Sequence, residues 1–219
     1  MKKLTIVRFK PKPEHFDAFV QELKQASTAP DRTAILNSFV MTKDDEVFSI
    51  VIRHADFSAD LAIQGAQLLR FAVQDSEWLW LSETAEYKTG TSLRGGIPIC
   101  WPWFGDAAKN PPSVSNYINM DNPPAHGFAR SQDWALGEVS ESDSTIIINM
   151  LLENPAHTSW RGDASLSLQI SMSASALTLA LTTTAGQSEV TVSQALHTYF
   201  PTVDITQTSI SGLEGEHYI

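Results

Sequence analysis

Two histidines and two arginines are the residues whose type and surroundings are best suited to chemistry. His126 and Arg130 are separated by three residues, two of them small, and Arg94 directly precedes a Gly-Gly pair. His197 lies in a later segment that alternates apolar and polar residues. An imidazole with a pKa near 6.5 exchanges protons around neutral pH, and guanidinium groups bind phosphate with two parallel hydrogen bonds. The four residues indicate proton transfer on a small anionic substrate.

A rigid segment rich in aromatic residues and proline follows Arg94 and extends to Gly105. Its indoles at Trp101 and Trp103 offer flat surfaces that match the apolar C–H faces of a pyranose ring. The alternative is a core hairpin in which both tryptophans are buried, although that alternative does not explain an arginine beside the glycine turn.

Residues 190–200 read as a strand with one apolar and one small, mostly polar face. His197 and Tyr199 belong to the polar face, as expected for the wall of an open cleft. Taken alone, His197 is better explained as a half-exposed strand histidine, and His126 as an incidental loop residue.

Composition excludes several classes of function. The chain has 15 lysines and arginines against 25 aspartates and glutamates, a net charge of −10 that disfavours nucleic acid and anionic membranes as partners. Cys100 is the single cysteine, so no internal disulfide can form. Histidine spacing predicts no metal site, no glycine-rich pattern predicts a nucleotide cofactor, and no apolar segment approaches the ~20 residues of a membrane span. We therefore expect a cytoplasmic protein without metal or cofactor.

The first 56 residues have a pattern of predicted elements that differs from the rest of the chain. Residues 4–9 read as a strand, and Phe16, Phe19, Val20 and Leu23 mark one face of a helix. Residues 33–41 and 47–52 read as two hairpin strands. This order resembles the small antibiotic-biosynthesis-monooxygenase-like domains, which implies a ferredoxin-like α+β segment over 1–56, with a linker at 54–60.

Strand-like alternation dominates the rest of the chain, residues 57–219. Leu166, Leu168, Ile170 and Met172 alternate with polar residues. Residues 177–181 repeat the pattern, whereas 146–152 form a continuous apolar run that predicts a strand buried on both faces. Many short strands with few helices favour a mainly β fold, an antiparallel β-sandwich.

Five segments in this order resemble the glucose-6-phosphate 1-epimerase branch of the aldose 1-epimerase (galactose mutarotase-like) family. They are residues 62–69, 78–82, 94–105, 126–130 and 195–200, and the ending at 210–213 also fits. The resemblance covers roughly 160 residues and implies a galactose mutarotase-like sandwich, preceded here by the α+β segment.

The resemblance also implies roles. His197 would protonate the ring oxygen of a hexose 6-phosphate, and His126 would hydrogen-bond the sugar. Arg94 and Arg130 would hold the 6-phosphate, and Trp101 and Trp103 would form walls. The family's ring-opening chemistry interconverts the two anomers and needs no cofactor.

The family's general base is a glutamate well beyond the histidine of the segment 195–200, and a sugar-binding aspartate also follows that segment. Neither position falls within these 219 residues. We therefore expect a C-terminally truncated mutarotase with impaired activity. The alternatives are a non-catalytic sugar-phosphate-binding module or inactive fusion remnant, or a protein whose N-terminal segment is the functional part. Self-association is expected through that segment or through unpaired sandwich edges.

Overall fold

The computed structural model describes residues 47–153, 155–212 and 214–215. Within them, ten strands occur in antiparallel pairs: β1 Ser49–Arg53, β2 Phe57–Ala62, β3 Leu68–Val73, β4 Ser76–Glu77, β5 Ile99–Cys100, β6 Ala135–Glu141, β7 Thr145–Leu152, β8 Ala164–Ser173, β9 Leu177–Ala185 and β10 Ala195–Leu196. The strand orders are β1-β2-β3-β4 and β6-β7-β8-β9 in the two larger sheets, with β10-β5 as a separate pair.

The first sheet begins earlier than the sequence indicated. Ser49–Arg53 pairs with Phe57–Ala62 from Ser49↔Ala62 to Arg53↔Ser58. The linker predicted at 54–60 is therefore wrong, because this stretch contains a tight turn and most of β2. The sequence does not reveal β2 because Asp56, Ser58 and Asp60 interrupt the apolar residues that this strand buries. The monooxygenase-like segment and its division from the sandwich stay predictions, since residues 1–46 lie outside the described residues.

The second sheet follows the alternation of its strands. In β8, Leu166, Leu168, Ile170 and Met172 are all buried, as predicted. In β7 the burial alternates as well, so the prediction of a strand buried on both faces is wrong. Ile147 and Leu151 lie on its half-exposed face, where β-branched and apolar residues are tolerated on a pleated surface.

The core lies between the two larger sheets. One cluster of buried side chains joins residues of β1–β3, such as Phe71, to residues of β7 and β8, such as Met150, with Trp101 among them. The mainly β, antiparallel sandwich predicted from the sequence is confirmed.

Strand β9 is the last strand of its sheet, and its alternating leucines are only half-buried. Two of them, Leu177 and Leu179, line an open, mostly apolar cleft of about 540 Å³ together with residues of β10 and the segments beside it, including Trp78, Leu79, Leu196 and Phe200.

Helical structure in the described part of the chain is short. It consists of α1 Pro112–Ser115 and three 3-10 turns, Ala107–Lys109, Ala129–Ser131 and Ile205–Gln207. None of the helices in the described ranges is long and apolar enough to cross a membrane.

Candidate functional site

Residues 94–105, which the sequence predicts to form aromatic walls, are the scaffold of the site. Its strand β5 pairs with β10, which directly precedes His197. Beyond that pair, the His197 N–H donates to the Pro98 carbonyl at 2.9 Å, and the Tyr199 N–H donates to the Gly96 carbonyl at 2.9 Å. Only Ala195–Leu196 of the strand predicted at 190–200 is paired as a strand, because these single bonds do not continue the ladder.

A close backbone approach places His126 beside the same segment. Gly127 has φ +68°, and a Cβ at this position would lie 2.0 Å from the Trp101 carbonyl oxygen. Only glycine fits there. The Trp101 oxygen also accepts the N–H groups of Phe128 at 2.9 Å and Ala129 at 3.3 Å, so the loop is fixed directly after the histidine.

His126 makes two contacts with Gly105, one through its backbone and one through its imidazole. The backbone N–H of Gly105 donates to His126 Nδ1 at 3.1 Å. The backbone N–H of His126 donates to the Gly105 carbonyl at 2.8 Å. A neutral imidazole whose Nδ1 accepts must carry its proton on Nε2. Burial, and then the charges of Arg130 and His197, lower the pKa of His126 below its ordinary value of 6.5. At neutral pH the ring is therefore a neutral donor through Nε2.

The two predicted catalytic histidines lie side by side. Their ring centroids are 5.7 Å apart with planes at 82°. Phe104 contacts both, with centroids 5.1 Å from His126 and 6.1 Å from His197. Tyr199 lies 5.0 Å from His197 and 5.8 Å from Trp80. The result is a half-exposed patch in which two imidazoles are surrounded by aromatic rings.

Arg130 adds positive charge to this patch. Its backbone packs against Gly65, where a Cβ would meet the Arg130 oxygen at 2.7 Å. Its Nη2 donates to the Ala125 carbonyl at 2.8 Å, which leaves most of the guanidinium donors available to a ligand. Its charge lowers the pKa of His126, so Arg130 lies near the histidines, and its membership of one site with them stays a prediction.

Arg94 lies on the strand-like segment that leads into the scaffold. Its carbonyl accepts the Ser82 N–H at 3.0 Å, and its side chain is exposed. Within the described ranges, no hydrogen bond or ion pair links the Arg94 guanidinium to the segment that contains Arg130. A phosphate shared by the two arginines therefore stays a prediction.

The indoles of Trp101 and Trp103 are fully buried, each at 0% exposure. Trp101 Nε1 donates to Thr183 Oγ1 at 3.1 Å, and Trp103 Nε1 donates to the Pro124 carbonyl at 2.9 Å. Both rings also pack edge-on against Phe128. The role of substrate wall predicted for Trp101 and Trp103 does not agree with this burial. The two indoles pack in the core beneath the residues of the site.

Three residues of the site had no signal of their own in the sequence. In the sequence, Phe104 is one more ring of the aromatic segment, and Ser193 is one polar position of a predicted strand. Asn110 lies in a loop after the scaffold, where no pattern marks it. The Phe104 N–H donates to Ser193 Oγ at 3.0 Å, and Asn110 Nδ2 donates to the Phe104 carbonyl at 3.0 Å. Such bonds depend on loop geometry, which side-chain periodicity does not reveal.

No group of three or more histidine, cysteine, aspartate or glutamate side chains suited to a metal ion occurs among the described residues. Cys100 is buried, and that burial raises the pKa of its thiol to about 11, against a smaller opposing effect of the Arg130 charge. Its thiol is therefore protonated at neutral pH and is a poor nucleophile.

Comparisons with known proteins identify the family of the chain. The family model described as aldose 1-epimerase matches residues 49–218. A Salmonella typhimurium protein named "Putative glucose-6-phosphate 1-epimerase" is 36% identical over 178 residues, which are 80% of this chain and 55% of that protein. The Escherichia coli protein of the same name is 34% identical over 180 residues, 81% of this chain and 56% of that protein.

A solved structure shows the same likeness in three dimensions. The crystal structure titled as a "putative mutarotase" from Salmonella typhimurium superposes with a TM-score of 0.61 at 34% sequence identity, covering 73% of this chain and 50% of that one. The chain spans about half the length of the relatives it matches. Since the family model covers residues 49–218, most of the chain, the chain belongs to the aldose 1-epimerase family.

Proposed function

We propose that this chain acts on aldohexose 6-phosphates and interconverts their α and β anomers, the reaction of a glucose-6-phosphate 1-epimerase. The observation on which the proposal rests is the pair His126 and His197, 5.7 Å apart, beside the charge of Arg130. An acid and a hydrogen-bond donor next to a cation suit a sugar whose ring oxygen must accept a proton and whose 6-phosphate must be held.

In this mechanism a base removes the proton of the anomeric O1 hydroxyl. The C1–O5 bond breaks, its electron pair stays on O5, and His197 donates a proton there as C1=O1 forms. His126, neutral and protonated on Nε2, donates a hydrogen bond to a sugar oxygen. Rotation about C1–C2 and closure on the other face of the carbonyl give the second anomer. Arg94 and Arg130 bind the phosphate, and the aromatic rings around the histidines cover the sugar.

The base is the missing participant. Among the described residues, no carboxylate forms a hydrogen bond or an ion pair with either imidazole of the pair. We therefore propose that the chain as given exchanges anomers slowly, because a positioned base or acid each typically contributes about 10²–10⁴-fold. The same observation favours a second candidate, a sugar-phosphate-binding module without catalysis. We also propose that the protein acts in the cytoplasm and needs no cofactor.

Calorimetry tests the phosphate site. We expect glucose 6-phosphate to bind more tightly than glucose, and the difference to shrink at high salt because exposed charges are screened. Arg94→Ala or Arg130→Ala should each cost about 1.5–3 kcal/mol, the range for hydrogen bonds to charged groups. Arg53→Ala is the matched control, since Arg53 is paired with Asp60 in the first sheet. Equal affinity for the two sugars contradicts a phosphate site.

NMR exchange spectroscopy on glucose 6-phosphate tests catalysis. We expect slow exchange that His197→Ala abolishes and that His157→Ala leaves unchanged, since His157 is also half-buried but stacks on Phe128 instead. Binding without any exchange above the buffer rate supports the binding module. Fast exchange that survives His197→Ala contradicts the role of acid given to His197.

A further inference from the structure

The backbone of Phe104 is held at both of its polar groups by side chains from distant segments. Its N–H donates to Ser193 Oγ at 3.0 Å, and its carbonyl accepts from Asn110 Nδ2 at 3.0 Å. The Ser193 hydroxyl in turn donates to Asn110 Oδ1 at 2.5 Å. The three hydrogen bonds form a closed ring, which we call the Phe104 clamp.

Asn110 uses both halves of its amide in the Phe104 clamp. Its Oδ1 accepts from Ser193, and its Nδ2 donates to Phe104 and, at 2.9 Å, to the Asp106 carbonyl. The Asn110 N–H also donates to the Ala107 carbonyl, which ends the 3-10 turn Ala107–Lys109. Because Nδ2 faces two carbonyl oxygens, which can only accept, and Oδ1 faces the Ser193 hydroxyl, the amide has one orientation.

The Phe104 clamp determines the position of groups that touch both histidines. The Phe104 ring contacts His126 and His197. The next residue, Gly105, supplies the N–H that His126 Nδ1 accepts. A shift of the Phe104 backbone would move the ring away from His197 and lengthen the bond that keeps the His126 proton on Nε2.

We propose that Asn110 is a positioning residue for the histidine pair, acting through Ser193 and Phe104. The inference rests on the proposed function for its kinetic consequence, but the arrangement of the two imidazoles is measurable without turnover. Asn110 touches neither histidine, so its effect must pass through the clamp. A displacement near 1 Å of a reacting group costs up to about 10²-fold in rate.

The test compares Asn110→Ala with Asn149→Ala. Asn149 is a matched control: it is equally half-buried, donates to the Glu138 carbonyl and accepts from Gln169, but lies on β7. A second pair is Ser193→Ala against Ser193→Thr, because threonine keeps the hydroxyl that both partners use. Asn110 and Ser193 are half-exposed, so none of these variants opens a large cavity, and thermal unfolding verifies that each is folded.

The first measurement is the NMR resonances of the imidazole Cε1–H groups, which depend on the position of the nearby Phe104 ring. Asn110→Ala and Ser193→Ala should shift the resonances of both His126 and His197, whereas Asn149→Ala and Ser193→Thr should leave them in place. Unshifted resonances in both Asn110→Ala and Ser193→Ala overturn the proposal, whether or not the protein turns over substrate.

The second measurement is anomer exchange with glucose 6-phosphate. Asn110→Ala should lower kcat about 10-fold, with KM changed less than twofold, because the arginines that bind phosphate are not part of the clamp. A rise in KM at constant kcat overturns the positioning role. If the unsubstituted chain shows no exchange, the proposed function fails, and the imidazole resonances alone decide the role of Asn110.

Discussion

Replacing Gly127 by alanine is the most direct test of how the site is assembled. The new Cβ would lie 2.0 Å from the Trp101 oxygen, 2.3 Å from its carbonyl carbon and 2.8 Å from Pro102 N, all rigid backbone atoms. Ordinary contact begins near 3.4 Å, so the two segments must separate by more than 1 Å. That separation breaks the hydrogen bonds of the Phe128 and Ala129 N–H groups to the Trp101 carbonyl.

The expected cost follows from these contacts. Alanine at φ +68° adds about 1 kcal/mol of backbone strain. Each lost hydrogen bond adds about 0.5–1.5 kcal/mol, and more where the buried group stays unpaired. We expect the free energy of unfolding to fall by about 2–4 kcal/mol. Because His126 is the preceding residue, its imidazole should also lose its contact with Gly105.

The matched control is Gly90→Ala. Gly90 has φ +78°, but a Cβ there meets nothing within 4 Å, so only the strain of about 1 kcal/mol remains. Urea unfolding followed by tryptophan fluorescence should give a clearly lower midpoint for Gly127→Ala than for Gly90→Ala at equal m-value. Equal destabilisation of the two variants would refute the close approach between the two segments.

Three further outcomes are expected. NMR titration should give His126 a pKa below 6.5, because burial and the charges of Arg130 and His197 oppose protonation. Arg130→Ala should raise this pKa by removing the Arg130 charge, and a pKa at or above 6.5 contradicts the packing of the site. The free energy of unfolding should fall as pH drops below about 6.5, since the lowered pKa values of His126 and His157 mean that the unfolded chain binds more protons. Urea titrations at pH 7.5 and 5.5 measure this fall, and replacing both histidines by glutamine should flatten the pH dependence. Sedimentation velocity should show concentration-dependent association through β9 and its cleft, weakened several-fold by Leu179→Lys but not by Thr178→Lys; equal behaviour of the two variants would exclude the leucine face.

The sandwich could be predicted because its strands obey simple periodicity. β8 alternates without interruption, and the structure buries the apolar half of it. β7 was assigned to the correct segment but with the wrong exposure, because Ile147 and Leu151 are apolar on a half-exposed face. β2 was missed because its polar positions resemble a linker when the neighbouring strands are unknown. Alternation identifies a strand, but its partners decide how deeply each face is buried.

The site was predictable only for residues whose side chains suggest chemistry. His126, His197 and Arg130 are predicted from type and context; the structure places the two imidazoles side by side and the charge of Arg130 near His126, while their roles stay predictions. The tryptophans were placed at the surface because an indole can either cover a sugar or fill a core, and composition does not distinguish the two. Asn110 and Ser193 escaped notice because their importance arises from hydrogen bonds across 83 and 89 residues of sequence.

These long separations have a consequence for how the chain folds. The groups around the imidazoles come from segments near residues 104, 126 and 193, which local structure cannot bring together. The entropy of closing such loops is lost before the contacts between the segments can form, which makes topologies of this kind slow to fold. The environment of His126 and His197 therefore reports completion of the whole sandwich, and a fragment that retains only the β6–β9 sheet would contain neither imidazole.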